Sequence, residues 1–321
     1  MPTSASATHP VTQRTLASYG EALNQPDAPA YTLTPLSSQG GNICADDPKR
    51  ATHIMAIVNM TPDSFSDGGV NEAEDLGSLI KAHVTSGATF IDVGGQSSRP
   101  NAPDISSEEE INRILPVIEA IKAVPEAANV VISVDTYRAA VAEAAIHAGA
   151  HVVNDISAGQ LDPEMLSTVA RLGCTYMMMH MRGTPATMTS EENCSYPEGL
   201  IPTIAKELSE RIEAAQAAGI RRWRLILDPG IGFSKTIEQN LEILGKMQEL
   251  RALLPNYPWL LGSSRKGFIG KITDVEKASE RTWGTAATVT AAVQGGADIV
   301  RVHDVKEMAA VAKMADAMYR K

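Results

Sequence analysis

The residues able to do chemistry in this chain recur at one kind of place, directly after short apolar runs. In order they are Asn59, followed by the polar stretch Thr61-Pro62-Asp63-Ser64-Phe65-Ser66-Asp67-Gly68-Gly69; Gly94-Gly95-Gln96-Ser97-Ser98-Arg99-Pro100; Asp135; Asn154-Asp155; His180-Met181-Arg182; Asp228-Pro229-Gly230; Ser264-Arg265-Lys266; and Arg301 with His303. Asp135 and Asp228 close the runs VVISV and LIL. A carboxylate in such surroundings needs hydrogen-bond donors to offset its lost hydration. A heterocycle with several N–H groups would supply them. Arg301 and His303 are two apart at the end of an extended run, so they point to the same side. With Arg99 they could grip a phosphate, for which arginine offers a planar fork of donors. Asn59 cannot hold a hard cation alone, but its amide oxygen can join a Mg²⁺ ion whose other ligands are pyrophosphate oxygens and water. The plainer alternatives are that such ends are polar because they meet water, and that Arg301 is a surface residue paired with Asp304.

The elements that must position these groups follow an alternation. From His53 onward, short β-branched runs at 53–59, 89–94, 130–134, 151–154, 174–179, 224–227, 258–262 and 297–302 read as eight strands. Amphipathic stretches near 73–85, 108–123, 138–147, 163–171, 199–217, 238–253, 278–294 and 305–319 read as helices long enough to cross back over a parallel sheet. A glycine phrase recurs where helix gives way to strand: SGA at 86–88, AGA at 148–150, LGC at 172–174, AGI at 218–220 and GGA at 295–297. Eight such units predict an α/β fold, a TIM (β/α)₈ barrel over 51–321, with an open doubly wound sheet as the alternative. In a barrel the strand ends form one rim, which gathers the polar groups above into a single site. The polar, turn-rich 61–69 segment reads as a loop over that rim, a lid or else an ordinary connector. Residues 1–50, rich in Pro, Ser, Thr and Gly, read as an irregular N-terminal extension or linker.

Composition narrows the class further. The chain has 321 residues, 44% hydrophobic and 21% charged, which suits one large globular domain with a tail. Its 28 Lys and Arg against 38 Asp and Glu give a net charge of −10 and argue against bulk nucleic-acid binding. No run approaches a membrane span of about 20 apolar residues. Cys44, Cys174 and Cys194 are scattered and form no metal-binding pair, which fits a reducing, cytoplasmic setting; Arg14 amid Ser, Thr and Ala leaves a mitochondrial address as the second option. Walker A, HExxH and Gly-x-Ser-x-Gly motifs are absent, and Cys174 and Met177 to Met179 read as core.

MAIVNMTPDSFSDGG (55–69), IDVGGQSSRP (91–100), SVDT (133–136), VNDISAG (153–159), DPGIGF (228–233), SSRK (263–266) and RVHD (301–304) together resemble the dihydropteroate synthase family across about residues 51–321, in order and at family spacing. The resemblance implies a barrel working as a homodimer. It implies condensation of 6-hydroxymethyl-7,8-dihydropterin pyrophosphate with para-aminobenzoate in folate biosynthesis, with Mg²⁺. By motif position, Asp135, Asn154, Asp228 and Lys266 would hold the pterin, while Asn59, Arg301 and His303 would hold pyrophosphate and Mg²⁺. Ser97 and Ser98 would lie beside them, and Ser98, Arg99, Pro100, Phe233 and Lys266 would frame the para-aminobenzoate pocket. Thr61, Asp63, Ser64, Phe65, Ser66 and Asp67 would form the lid. Three positions depart from the common pattern: Gln96 for Glu, Ser98 for Thr and Gly267 for Ser. The last puts para-aminobenzoate affinity and sulfonamide sensitivity in doubt. The phrases at 136–159 and 284–305 are similar to fungal versions, in which the domain often ends a multifunctional folate protein, so on this reading residues 1–50 are linker from upstream folate-pathway domains. The rivals are a methyltetrahydrofolate-type methyltransferase barrel and a catalytically silent pterin-binding module.

Overall fold

The computed structural model describes residues 33–35, 42–44, 49–60, 72–97 and 104–320. Eight parallel strands are present: β1 (His53–Asn59), β2 (Phe90–Gly94), β3 (Val131–Asp135), β4 (Val152–Asp155), β5 (Thr175–Met179), β6 (Leu225–Asp228), β7 (Leu260–Leu261) and β8 (Ile299–Val302). Hydrogen bonds link them in the order β6-β5-β4-β3-β2-β1-β8-β7. A parallel bridge between Leu227 and Trp259 joins β6 to β7 and closes the ring. That closure decides for the barrel over the open sheet.

Strand alternation sorts the side chains into two shells. Ile54, Ala56 and Val58 of β1 face outward into the large core shared with the helices. Facing inward, one residue from each strand builds a closed apolar layer: Met55, Phe90, Val131, Val152, Met177, Ile226, Leu260 and Ile299. Two residues further along the same faces the chain turns polar, with Asp92, Ser133, Asn154, Asp228 and Arg301. The barrel is therefore a dry plug at one end and a charged cup at the other.

Ten helices surround the strands among the described residues: α1 (Glu72–Thr85), α2 (Ser107–Ala123), α3 (Ala139–Ala148), α4 (Met165–Leu172), α5 (Leu200–Ala217), α6 (Ile237–Gly245), α7 (Met247–Leu253), α8 (Gly267–Thr273), α9 (Thr282–Gln294) and α10 (Val305–Tyr319). The five punctuating glycines, Gly87, Gly149, Gly173, Gly219 and Gly296, all take positive φ, between 63° and 116°. Two helical expectations change. The 238–253 stretch breaks at Lys246 (φ −115°, ψ 20°), just after Gly245, into α6 and α7. The 278–294 stretch opens as a 3₁₀ turn at Ala278–Glu280 before α9, and the short α8 precedes it, unforeseen because its GFIGKIT sequence carries two glycines.

At the plugged end, Leu33–Pro35 and Asn42–Cys44 pair as an antiparallel ribbon. It delivers Ile43, 2% exposed, onto the inner apolar layer. The chain entering β1 is clamped to the end of the barrel sequence: Arg50 pairs with buried Asp298, and Thr52 donates through its N–H and hydroxyl to Asp316 at 2.8 and 2.6 Å. Residues 1–32, 36–41 and 45–48 of the expected extension lie outside the described residues.

Candidate active site

The charged cup centres on Arg301. Its Nε donates to Asp92 Oδ2 at 2.6 Å, and a terminal nitrogen donates to Asp135 Oδ2 at 2.7 Å. The Asn154 amide donates to the same Asp92 oxygen at 3.1 Å. Asp92 is fully buried, and its Oδ1 has no hydrogen-bond partner. Burial pushes the Asp135 carboxyl up to about 7, against the pull of Arg301. Gly94 allows this crowding: a Cβ there would stand 3.0 Å from Asn59 Oδ1 and 3.6 Å from the Asp135 Cβ. Asn59 and Asp135 thus meet across a bare backbone.

The second wall is the loop after β6. Asp228 accepts the Gly230 N–H at 2.7 Å, and burial raises its carboxyl while that bond and the charges of Lys266, Lys235 and Arg301 oppose the rise. Gly230 has φ 73°, and a Cβ on it would run into the His180 carbonyl oxygen, so only glycine lets the loop lie this close to β5. The Lys266 ammonium donates to the Ile231 carbonyl and stands 4.4 Å from the centre of the Phe233 ring. Burial lowers the Lys266 ammonium to about 8, with Asp228 opposing. Its approach is fixed by Arg265, held at φ 59° and hydrogen-bonded through Nε to Asp304 at 3.0 Å. Ser264 Oγ lies 3.0 Å from His303 Nδ1 and accepts the His303 N–H at 3.2 Å, which orients the imidazole.

The structure therefore brings Asn59, Asp135, Asn154, Asp228, Phe233, Lys266, Arg301 and His303 to one mouth. Of the two sequence readings of Arg301, the structure overturns the surface pair with Asp304. It is not paired with Asp304, which belongs to Arg265, and two of its nitrogens already sit on carboxylates that attract its charge. Asp92 was missed, although it is the one charged residue in FIDVG and shares the parity of Gly94. Ser97 is half-buried, and its carbonyl accepts from Gln96, whose side-chain oxygen accepts the Ile105 N–H at 3.2 Å. Ser98, Arg99 and Pro100, and the lid residues Thr61, Asp63, Ser64, Phe65, Ser66 and Asp67, lie outside the described residues.

Among the described residues no group of three His, Cys, Asp or Glu could hold a metal by itself. The donor set fits an ion bound through Asn59 Oδ1 and otherwise through substrate oxygens and water. His180 and Arg182, whose roles the sequence left open, converge on Glu207 outside the cup, with His180 Nε2 2.7 Å and Arg182 Nε 3.0 Å from its carboxylate.

The chain is similar to known proteins over most of its length. The pterin binding enzyme family matches residues 55–303. Dihydropteroate synthase of Synechocystis is 46% identical over 274 residues, a match spanning 84% of this chain and 91% of that protein. The chain belongs to the dihydropteroate synthase family. Membership fits the closed barrel: the solved dihydropteroate synthase from Clostridium difficile, crystallised in the presence of pteroic acid, superposes with a TM-score of 0.77 at 40% identity, covering 86% of this chain and 99% of that one. The folic acid synthesis protein of Pneumocystis carinii is 44% identical over 315 residues, 97% of this chain but 42% of that protein. The chain spans about half the length of several such curated relatives, between 42% and 58%.

Proposed function

We propose that this protein is a dihydropteroate synthase, joining 6-hydroxymethyl-7,8-dihydropterin pyrophosphate to para-aminobenzoate with release of pyrophosphate. The observation that carries the reading is the cup itself: Asp135 and Asn154 stand with Arg301 and Asp92 on one wall of the barrel mouth, and buried Asp228 stands with Lys266 and Phe233 on the other. A pterin's amino and ring N–H groups match the carboxylates, and its carbonyl and ring nitrogen match the lysine. Family membership and the likeness to a synthase crystallised with pteroic acid support the same assignment.

In this reading Asp135, Asn154 and Asp228 hold the pyrimidinone edge and Lys266 donates to the ring. When pterin N–H groups take up Asp135, Arg301 exchanges that bond for a pyrophosphate oxygen, beside His303 as oriented by Ser264. The bond from the exocyclic methylene to pyrophosphate oxygen breaks with its electron pair on oxygen. The arylamine nitrogen forms the new bond to that carbon, then releases its proton to solvent. Phe233 packs against the arylamine ring. Mg²⁺, when bound, supplies charge neutralisation to the leaving pyrophosphate, and Asn59 Oδ1 is the protein oxygen that would hold it.

A methyltetrahydrofolate-type methyltransferase would need the pterin carboxylates but neither Arg301 with His303 at a phosphate subsite nor a lysine beside an aromatic ring. A homodimer is proposed as well, supported by the large exposed apolar side chains Trp283 and Ile272 on the packed helices α9 and α8. The larger folate-synthesis relatives support a place for this domain beside other folate-pathway domains, which intact-mass analysis of the native polypeptide tests. No helix among the described residues is long and apolar enough to cross a membrane; a cytoplasmic place is proposed, with mitochondria the alternative supported by plant relatives so named.

The test is pyrophosphate release from dihydropterin pyrophosphate, with and without para-aminobenzoate and with and without EDTA, following dihydropteroate by mass. Stoichiometric, Mg²⁺-dependent dihydropteroate formation is expected. Pterin binding with neither product would replace the enzyme with a silent pterin-binding module.

A further inference from the structure

Behind the loop that carries Asp228 and Phe233 lies a lysine that the proposed reaction does not use. Lys235 Nζ donates to the Phe233 carbonyl at 2.9 Å and meets His180 Nδ1 at 3.0 Å. His180 Nε2 continues to Glu207 Oε2 at 2.7 Å, and Arg182 Nε closes on both Glu207 oxygens at 3.0 and 3.1 Å. An ammonium has donors only, so Nδ1 must accept and Nε2 must carry the ring proton that goes to Glu207. His180 is therefore neutral, and burial does hold its imidazole down to about 4. Below about pH 7 the chain reads Lys235⁺, neutral His180, Glu207⁻, Arg182⁺. Its outer end is pinned again where Ser234 Oγ accepts the Arg182 N–H at 2.9 Å and donates to the Arg182 carbonyl at 2.7 Å.

A loop could be pinned by neutral groups, which would not require an ammonium to give up hydration. Lys235 Nζ lies against the turn that Asp228 caps: a Cβ on Gly230, whose N–H Asp228 accepts, would stand 3.3 Å from it. Burial drives the Lys235 ammonium down to about 7, with the Asp228 charge the largest opposing influence. The reason for a charge here is on the other side of the loop. Asp228 is buried with one backbone donor, the Gly230 N–H, and the side chains that attract its charge are Lys266 from the β7–α8 turn, Lys235 from its own loop and Arg301 from β8. Two of these three face the substrate in the proposed reaction and exchange partners there. Lys235 does not.

We propose that Lys235, aligned by His180 and Glu207, is a positioning residue that keeps Asp228 ionised toward the pterin and fixes the Phe233 carbonyl. The inference rests on the synthase reading, because it presumes that Asp228 receives pterin N–H groups. A protonated Asp228 would present a donor where the pterin also presents donors, so losing Lys235 lowers pterin affinity most on the acid side.

The experiment measures binding of 6-hydroxymethylpterin to the full chain by fluorescence titration across about pH 5 to 8, for the wild type, Lys235→Met and Lys235→Arg, with a thermal melt of each. Lys235→Met is expected to bind roughly ten-fold more weakly at the acid end of the range, where the wild type keeps Lys235 charged and Asp228 ionised. Its acid limb should move to higher pH, and Lys235→Arg should move it back. A merely structural lysine would lower the melting temperature without moving the limb. Unchanged affinity in Lys235→Met, or an equal loss at every pH, overturns the proposal. If Lys235→Met does not fold, Glu207→Gln at the half-buried end of the chain decides. A loss of about three-fold is expected from one weakened charge-assisted bond, and unchanged affinity overturns the idea. Wild-type protein that binds no pterin would remove the synthase reading itself, whereas wild-type binding with an indifferent Lys235→Met removes only the positioning role.

Discussion

Asp92→Asn keeps the shape of a side chain and removes one charge from the centre of the barrel. Asp92 accepts from both Arg301 and Asn154, and it is fully buried. Breaking a buried ion pair outright costs about 3–5 kcal/mol. Two features reduce that figure: Arg301 keeps Asp135 at 2.7 Å, and an asparagine oxygen in the place of Oδ2 can still accept both bonds. What goes is the charged character of the bonds, about 2 kcal/mol if hydrogen bonds to charged groups contribute roughly 1.5–3 kcal/mol. A thermal melt should therefore fall by about 5 °C for a chain of this size. Arg301 and Asn154 also lose the atom that holds them in register, so kcat/KM for the pterin pyrophosphate should drop about thirty-fold, the rate equivalent of 2 kcal/mol. Asp92→Leu, which offers Arg301 no acceptor at all, should be worse in both assays. An Asp92→Asn protein that melts with the wild type and turns over within two-fold of it would refute the assignment of Asp92 as the anchor of the site.

Phe233→Ala should raise KM for para-aminobenzoate about ten-fold and change pterin binding less, since in the proposed reading the ring packs on the arylamine and reaches the pterin only through Lys266; steady-state kinetics with each substrate varied in turn would show it. The pH profile of kcat/KM should be bell-shaped. Protonation of Asp135, raised to about 7 by burial, and of Asp228, also raised by burial, sets the acid limb, and loss of the Lys266 proton, lowered to about 8 by burial, sets the alkaline limb, so activity should fall off on either side of that window. Ile43→Ala should destabilise the fold by about 2–4 kcal/mol in urea denaturation with both KM values unchanged, because Ile43 closes the plugged end of the barrel, far from the cup. A flat pH profile, or an Ile43→Ala variant that alters KM, would count against this division of the barrel.

Sequence alone determined the eight parallel strands and the polar residues that end them. The reason is local: a parallel strand buried on both faces must be written as an apolar run, and the polar residue that ends it is visible at once. Helix ends were equally visible, because a left-handed cap calls for glycine at a fixed distance from the next strand. The tertiary structure decided what depended on partners distant in sequence. Asp92 lies inside its strand rather than after it, so only the neighbours across the barrel, Arg301 and Asn154, mark it as part of the site. The engagement of Arg301 with two carboxylates depends on residues 166 and 209 positions away. Lys235 sits beyond the DPGIGF motif, and nothing in its local sequence says that its ammonium turns back toward His180 and Asp228. Ile43, within a stretch that reads as linker, belongs to the core because the ribbon that carries it folds under the strands. Composition and spacing record which groups each segment offers. Which of them share a proton, a charge or a packing contact is set by the closure of the ring.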